Sequence, residues 1–203
     1  MFITFEGGEG TGKTTQINII KYKLEQLGLE VLTTREPGGV TSAEKIREVI
    51  LNNNIDPITE AMLYAAARRE HFMKKVKPAL EENKIVLCDR FVDSSIVYQG
   101  IVRGVGIKEV LKINQLAIGN IKPDLTILFD LDPEIGLKRI YLNRTDEINR
   151  FDKEDISFHL KIREGYNNLK EQEPNRIHLI DAGKDIANVT DQIIRILKDN
   201  KVF

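Results

Sequence analysis

The run Gly7-Gly8-Glu9-Gly10-Thr11-Gly12-Lys13-Thr14 satisfies the pattern G-x-x-x-x-G-K-[ST]. Glycines at this spacing let the backbone curl until successive N–H groups point inward, as a chain of phosphate oxygens requires. A helix starting where the loop ends adds the positive end of its dipole. Lys13 can then reach the β and γ phosphates, and the Thr14 hydroxyl can ligate Mg²⁺. Gly7 through Thr14, with Thr15 next to them, are therefore ATP-binding candidates.

Two further clusters combine arginine with carboxylates: Arg35-Glu36-Pro37-Gly38, and Asp89-Arg90-Phe91-Val92-Asp93-Ser94-Ser95 followed by Tyr98-Gln99-Gly100. An arginine offers a planar fork suited to a phosphate, and an acid beside it can hold Mg²⁺. Without context the same residues make an ordinary surface ion pair, worth little. Tyr64 and Arg68 stand at i and i+4, where an aromatic ring and a guanidinium could stack on and hydrogen-bond a planar base. A surface arginine over a half-buried tyrosine would have the same spacing. Arg69 points about 100° away, so both arginines cannot serve one pocket. Arg139, Arg144 and Arg150 surround a polar segment. Basic segments that close over ATP supply charge to a transferring phosphoryl group, although a solvated helix end reads the same way. His71, His159 and His178 show no metal-like spacing and read as structural.

The elements that must position these groups alternate. Strand-like runs are expected at Phe2–Phe5, Leu29–Thr34, Ile85–Cys88, Leu125–Leu131 and Arg176–Ile180. Helical patterns follow Lys13 and cover Ser42–Leu51, Thr59–Glu82 (bent or broken by Pro78), Ile107–Asn120, about 134–142, about 154–172 and Asp185–Asp199. Strands and helices of these lengths in alternation predict an α/β fold, a five-stranded parallel sheet with helices on both faces. Ligands then belong at the carboxyl ends of the strands, where the loop and both arginine clusters fall.

Composition narrows the partners. The chain has 203 residues, with 30 Lys+Arg against 31 Asp+Glu, a near-neutral balance that argues against sequence-independent nucleic-acid binding. Cys88 is the one cysteine, so neither an internal disulfide nor a cysteine zinc site can form. No apolar run approaches the 18 or so residues of a membrane helix, and the start lacks a leader-like pattern, so a cytoplasmic location away from membranes is expected. A guanine-reading N-K-x-D is absent, Asn83-Lys84-Ile85-Val86 being the nearest approach, and no D-x-x-G switch segment occurs.

Taken in order, Phe5-Glu6-Gly7 with the phosphate loop, Arg35-Glu36-Pro37-Gly38-Gly39, Tyr64 through Glu70, Asp89-Arg90-Phe91 through Tyr98-Gln99-Gly100, and Pro123-Asp124-Leu125 make the chain resemble the thymidylate kinases over essentially its whole length. The resemblance implies a nucleoside monophosphate kinase fold comprising one domain, residues 1–203, with a lid at about 142–152. It implies transfer of a phosphoryl group from ATP to dTMP, Mg²⁺ as cofactor, and a homodimer. Lys13, Asp89, Arg90, Arg144 and Arg150 are then the catalytic candidates, and Thr14 and Asp89 the metal-holding ones. Arg90, with Arg35 nearby, would bind the acceptor phosphate and Glu9 would meet the sugar 3′-hydroxyl. Tyr64 would stack on thymine, and Arg68, Ser95 and Gln99 would read its edge. Glu36, Pro37, Arg47 and Ser94 would line the same pocket, Tyr98 would crowd the ribose 2′ position, and Arg139, Asp181 and Ala182 would lie near ATP. The resemblance also implies a cis Glu36–Pro37 bond. Because Gly10 stands where some members carry a basic residue, the lid would supply the transition-state charge. Tyr64 and Phe91 stand where Phe and Tyr are common. A kinase for another monophosphate and an ATP-binding regulator without turnover remain the alternatives.

Overall fold

The structure, a computed structural model, describes residues 1–143 and 150–203; Arg144 and the rest of 144–149 lie outside the described residues. Phe2–Gly7 (β1), Val31–Arg35 (β2), Ile85–Asp89 (β3), Leu125–Asp130 (β4) and Ile177–Asp181 (β5) form one parallel sheet in the order β2-β3-β1-β4-β5. Apolar runs rather than alternating patterns mark these strands because helices cover both faces. The registers bring Arg35 opposite Asp89, Phe5 opposite Asp89, Gly7 opposite Phe129 and Asp130 opposite Asp181. All five strands therefore finish along one edge, and that edge carries the phosphate loop.

On one face, Ile3, Phe5, Leu87 and Ile127 pack against Lys13–Gln26 (α1) and the last helix through Ile17, Ile20, Leu24, Val189, Ile193 and Leu197. Thr41–Asn52 (α2) follows β2. Pro57–His71 (α3) begins under an Asp56 cap, whose carboxylate accepts from the Ile58 and Thr59 amides at 3.0 Å each. Of the bend or break expected at Pro78, the break does not occur. The chain stays helical through a π-helical turn at Phe72–Val76 and on into Lys77–Glu81 (α4). Proline clashes with the carbonyl four residues back, and a wider preceding turn moves that carbonyl aside.

Val92–Ser95 (α5) runs directly into a π-helical stretch, Ile96–Val102, a segment to which the sequence pattern assigned no element. Residues 93–100 are all buried, so no polar face is present to betray the helical period. Ile107–Ile118 (α6), Pro133–Asn143 (α7), Ile156–Gln172 (α8) and Ile186–Asp199 (α9) complete the described elements within a residue or two of expectation. The second face is closed by Val97, Tyr98, Phe158, Ile162 and Tyr166 over Leu128, and by Ala65, Val76 and Phe91 over Phe2 and Val86.

Candidate active site

The phosphate loop leaves β1 at Gly7 and enters α1 at Lys13. Gly10 has φ +68°, and a Cβ on it would stand 2.1 Å from the Gly136 carbonyl oxygen, so only glycine fits there without movement of α7. Lys13 is buried, and its Nζ donates to the Gly8 carbonyl at 2.8 Å, the Gly7 carbonyl at 3.2 Å and Thr11 Oγ1 at 3.2 Å. Burial, and then the Arg90 charge, draw its ammonium down to about 8, against the pull of Asp89, Glu9 and Glu6.

Thr14 Oγ1 donates to Asp89 Oδ2 at 3.0 Å, so a hydroxyl and a carboxylate oxygen converge beside the loop. Among the described residues no group of three His, Cys, Asp or Glu side chains could hold a metal ion. Two hard oxygens, with phosphate and water completing the shell, are what Mg²⁺ accepts, so the residues present fit that ion.

Arg90 follows β3 at φ +68°. Its Nη1 donates to the Gly7 carbonyl at 3.0 Å and to Ser94 Oγ and Tyr166 Oη at 3.3 Å each, and its Nη2 to Glu9 Oε1 at 2.8 Å. The guanidinium also lies 5.1 Å from the centroid of the Tyr98 ring, whose hydroxyl donates to Glu9 Oε1 at 3.0 Å. Burial would push the Glu9 carboxyl up, yet Arg90, Lys13 and the Tyr98 hydroxyl outweigh it and hold it at about 2. Arg35 reaches outward: Nη2 bonds both Glu44 oxygens at 3.0 Å, and Nη1 donates to the Pro37 carbonyl at 3.0 Å. Arg47 donates to that same carbonyl at 3.1 Å, and the Glu36–Pro37 bond is cis as expected.

Arg68 is 2% exposed. It donates through Nε to Glu36 Oε2 at 2.7 Å, through Nη1 to Ser95 and Asn114, and through Nη2 to the Phe91 carbonyl at 3.0 Å. Glu36 also bonds His71 Nδ1 at 2.9 Å, and Thr34 Oγ1 bonds His71 Nε2 at 2.7 Å, so His71 is structural, as expected. Arg69 turns away to the Ala117 carbonyl, as its position on the helix required. Arg150 pairs with Glu60 of α3 and lies 4.6 Å from the Phe151 ring centroid; its charge is committed at the Tyr64 end of the site. Arg139 donates to the Ala182 carbonyl at 3.1 Å, next to Asp181, which joins those three candidates to one another.

One cavity of about 880 Å³ is lined by Glu9 through Thr15, Arg35, Glu36, Pro37, Arg47, Tyr64, Arg68, Asp89, Arg90, Ser94, Ser95, Tyr98, Gln99 and Arg150. A family model described as thymidylate kinase matches residues 5–193. The chain belongs to the thymidylate kinase family.

The thymidylate kinase of Bacillus velezensis is 54% identical over 202 residues, covering 98% of this chain and 95% of that protein. That of Clostridium novyi is 50% identical, covering 97% and 98%. The crystal structure of thymidylate kinase from Ehrlichia chaffeensis superposes with a TM-score of 0.79 at 36% identity, covering 98% of each chain.

Three residues of this thymidylate kinase family member were not singled out from sequence. Tyr166 of α8 carries no local signal. Glu60 does: it shares the Tyr64 and Arg68 face one turn earlier. Glu6, fully buried behind Arg90, accepts from the Phe91 amide at 2.7 Å, Ser94 Oγ at 2.6 Å and Tyr166 Oη at 2.8 Å. Burial, and then Asp93, push its carboxyl up to about 7. A raised carboxyl binds its proton more tightly in the folded state, so stability falls as pH rises from about 4.5 to about 7. Glu9 has the opposite sign, and its contribution is lost only below about 4.5. Thermal melts from pH 5 to 8 are therefore expected to show the Glu6→Gln variant gaining on the parent as pH rises; a constant difference would refute the assignment.

Proposed function

We propose that the chain transfers the γ-phosphoryl group of ATP to dTMP, giving ADP and dTDP, in line and without a covalent enzyme intermediate. The observation that carries this reading is the single cavity joining the phosphate loop, the Asp89–Arg90 strand end and the Tyr64–Arg68–Gln99 wall. Donor phosphates rest on the loop amides and Lys13. Arg90 keeps its Nε–H and one Nη2–H without a protein acceptor among the described residues, a side-on fork suited to the acceptor phosphate. Thr14 and Asp89 would hold Mg²⁺, which when bound neutralises charge on the phosphate oxygens. Glu9, fixed by Arg90 and Tyr98, presents its carboxylate to a sugar hydroxyl, and the Tyr98 ring narrows the space at the 2′ position. Since Gly10 has no room for a side chain, the remaining transition-state charge falls to the lid, residues 142–152 of the one domain, through Arg144 and Arg150.

The reading includes a cytoplasmic homodimer. Exposed Ile58 and Met62, one turn apart on α3, support it, since they give that helix an apolar stripe for a second copy to cover. Among the described residues no helix is long and apolar enough to cross a membrane.

ADP release from Mg·ATP across dTMP, dUMP, dCMP, dGMP, dAMP, GMP, UMP and AMP tests the function. Strong turnover with dTMP and little with ribonucleotides is expected. Preference for another monophosphate would overturn the base-reading roles, and no turnover with any acceptor would leave only nucleotide binding.

A further inference from the structure

Glu60 is 1% exposed on α3. Its Oε1 accepts from Gln99 Nε2 at 2.8 Å, and its Oε2 accepts from Arg150. A carboxylate paired with a guanidinium offers acceptors only, so the end of Gln99 that faces it must be the NH₂. That constraint fixes which way the Gln99 carboxamide lies, independently of how its two ends are assigned. The carbonyl Oε1 is left at the cavity wall, and among the described residues nothing donates to it.

We infer that Glu60 is a specificity-determining positioning residue: by holding the Gln99 amide in one orientation it makes this wall accept a proton from the base. The inference rests on the proposed dTMP kinase reading and deepens it. Thymine presents an N3–H donor beside the O4 acceptor, whereas cytosine presents an N3 acceptor beside an NH₂ donor. Arg68 supplies the complementary donor. Glu36, Ser95, Asn114 and the Phe91 carbonyl take four of its five N–H groups and leave one on Nη2. An acceptor at Gln99 beside a donor at Arg68 matches thymine and opposes cytosine at both atoms. A freely turning carboxamide would present NH₂ to cytosine N3 as readily as C=O to thymine N3–H. Sites built to hydrogen-bond a particular edge discriminate strongly because the wrong edge leaves buried groups unpaired.

The test compares kcat/KM for dTMP and dCMP. Glu60→Gln preserves shape but offers Gln99 a donor as well as an acceptor, so the carboxamide can turn. The dTMP-to-dCMP ratio is expected to fall about tenfold or more, through KM for dTMP more than through kcat. In a Gln99→Met background, where no amide remains to orient, Glu60→Gln should change the ratio by less than about twofold, as a double-mutant cycle requires. An unchanged ratio in the folded single variant, or an equal fall in both backgrounds, would overturn the inference. Glu60→Met carries the same test if Glu60→Gln does not fold. Failure of both to fold would make Glu60 a structural residue and would also overturn it. Absence of dTMP turnover in the unsubstituted protein would instead strike the function itself.

Discussion

Lys13→Met is expected to lower kcat for dTMP phosphorylation by on the order of 10²–10³-fold, the usual effect of deleting one donor aimed at developing charge in a water-poor site. The ammonium is well placed for that role. It sits inside the loop on two carbonyl oxygens and Thr11, at the mouth of the cavity that Arg90 shares. Burial lowers its pKa to about 8, which means that the folded protein pays to keep it charged at neutral pH. Methionine keeps the apolar stem and removes the buried charge, so Tm at pH 7 should not fall. Steady-state ADP release at saturating dTMP, set beside a thermal melt, separates the outcomes. A large loss of kcat with undiminished Tm assigns Lys13 to the reaction, and kcat within tenfold of the parent would remove it.

Local features of the site are legible in the sequence. The phosphate loop is one contiguous run whose glycines answer a backbone requirement, and its Gly10 proves to have a carbonyl against the place where a side chain would begin. The strands were legible as apolar runs because two helical layers bury them. Helical spacing placed Tyr64 with Arg68 and turned Arg69 away, as observed. What the sequence hid was partnership across distance. Arg68 reads as a base-facing cation, yet most of its donors hold Glu36, Ser95, Asn114 and Phe91 together, so it organises the wall as much as it faces the cavity. Glu60 meets Gln99 only because α3 and the π-helical stretch after α5 pack together, and that stretch has no amphipathic pattern to announce it. Arg150 has the same residue type and neighbourhood as Arg144, and nothing local shows that its charge meets Glu60.

Arg90→Ala should cost about 2–5 kcal/mol in kcat/KM for dTMP, the range for truncating one partner of a buried, hydrogen-bonded charge pair. Two effects combine in that figure. The acceptor phosphate loses the Nε/Nη2 fork, and Glu9 loses the guanidinium that holds its carboxylate at 2.8 Å. With Arg90 gone, Lys13 and the Tyr98 hydroxyl are left to oppose burial at Glu9, and its carboxyl rises from about 2 toward its ordinary value. The acidic limb of the kcat/KM profile should therefore move to higher pH in Arg90→Ala. Arg90→Lys divides the two effects, because lysine restores a positive charge near Glu9 but cannot offer a planar bidentate fork. The expected result is an acidic limb returned toward that of the parent with kcat/KM still strongly reduced. Recovery of both together would mean that charge alone matters at this position, and near-normal dTMP turnover in Arg90→Ala would place the acceptor phosphate elsewhere.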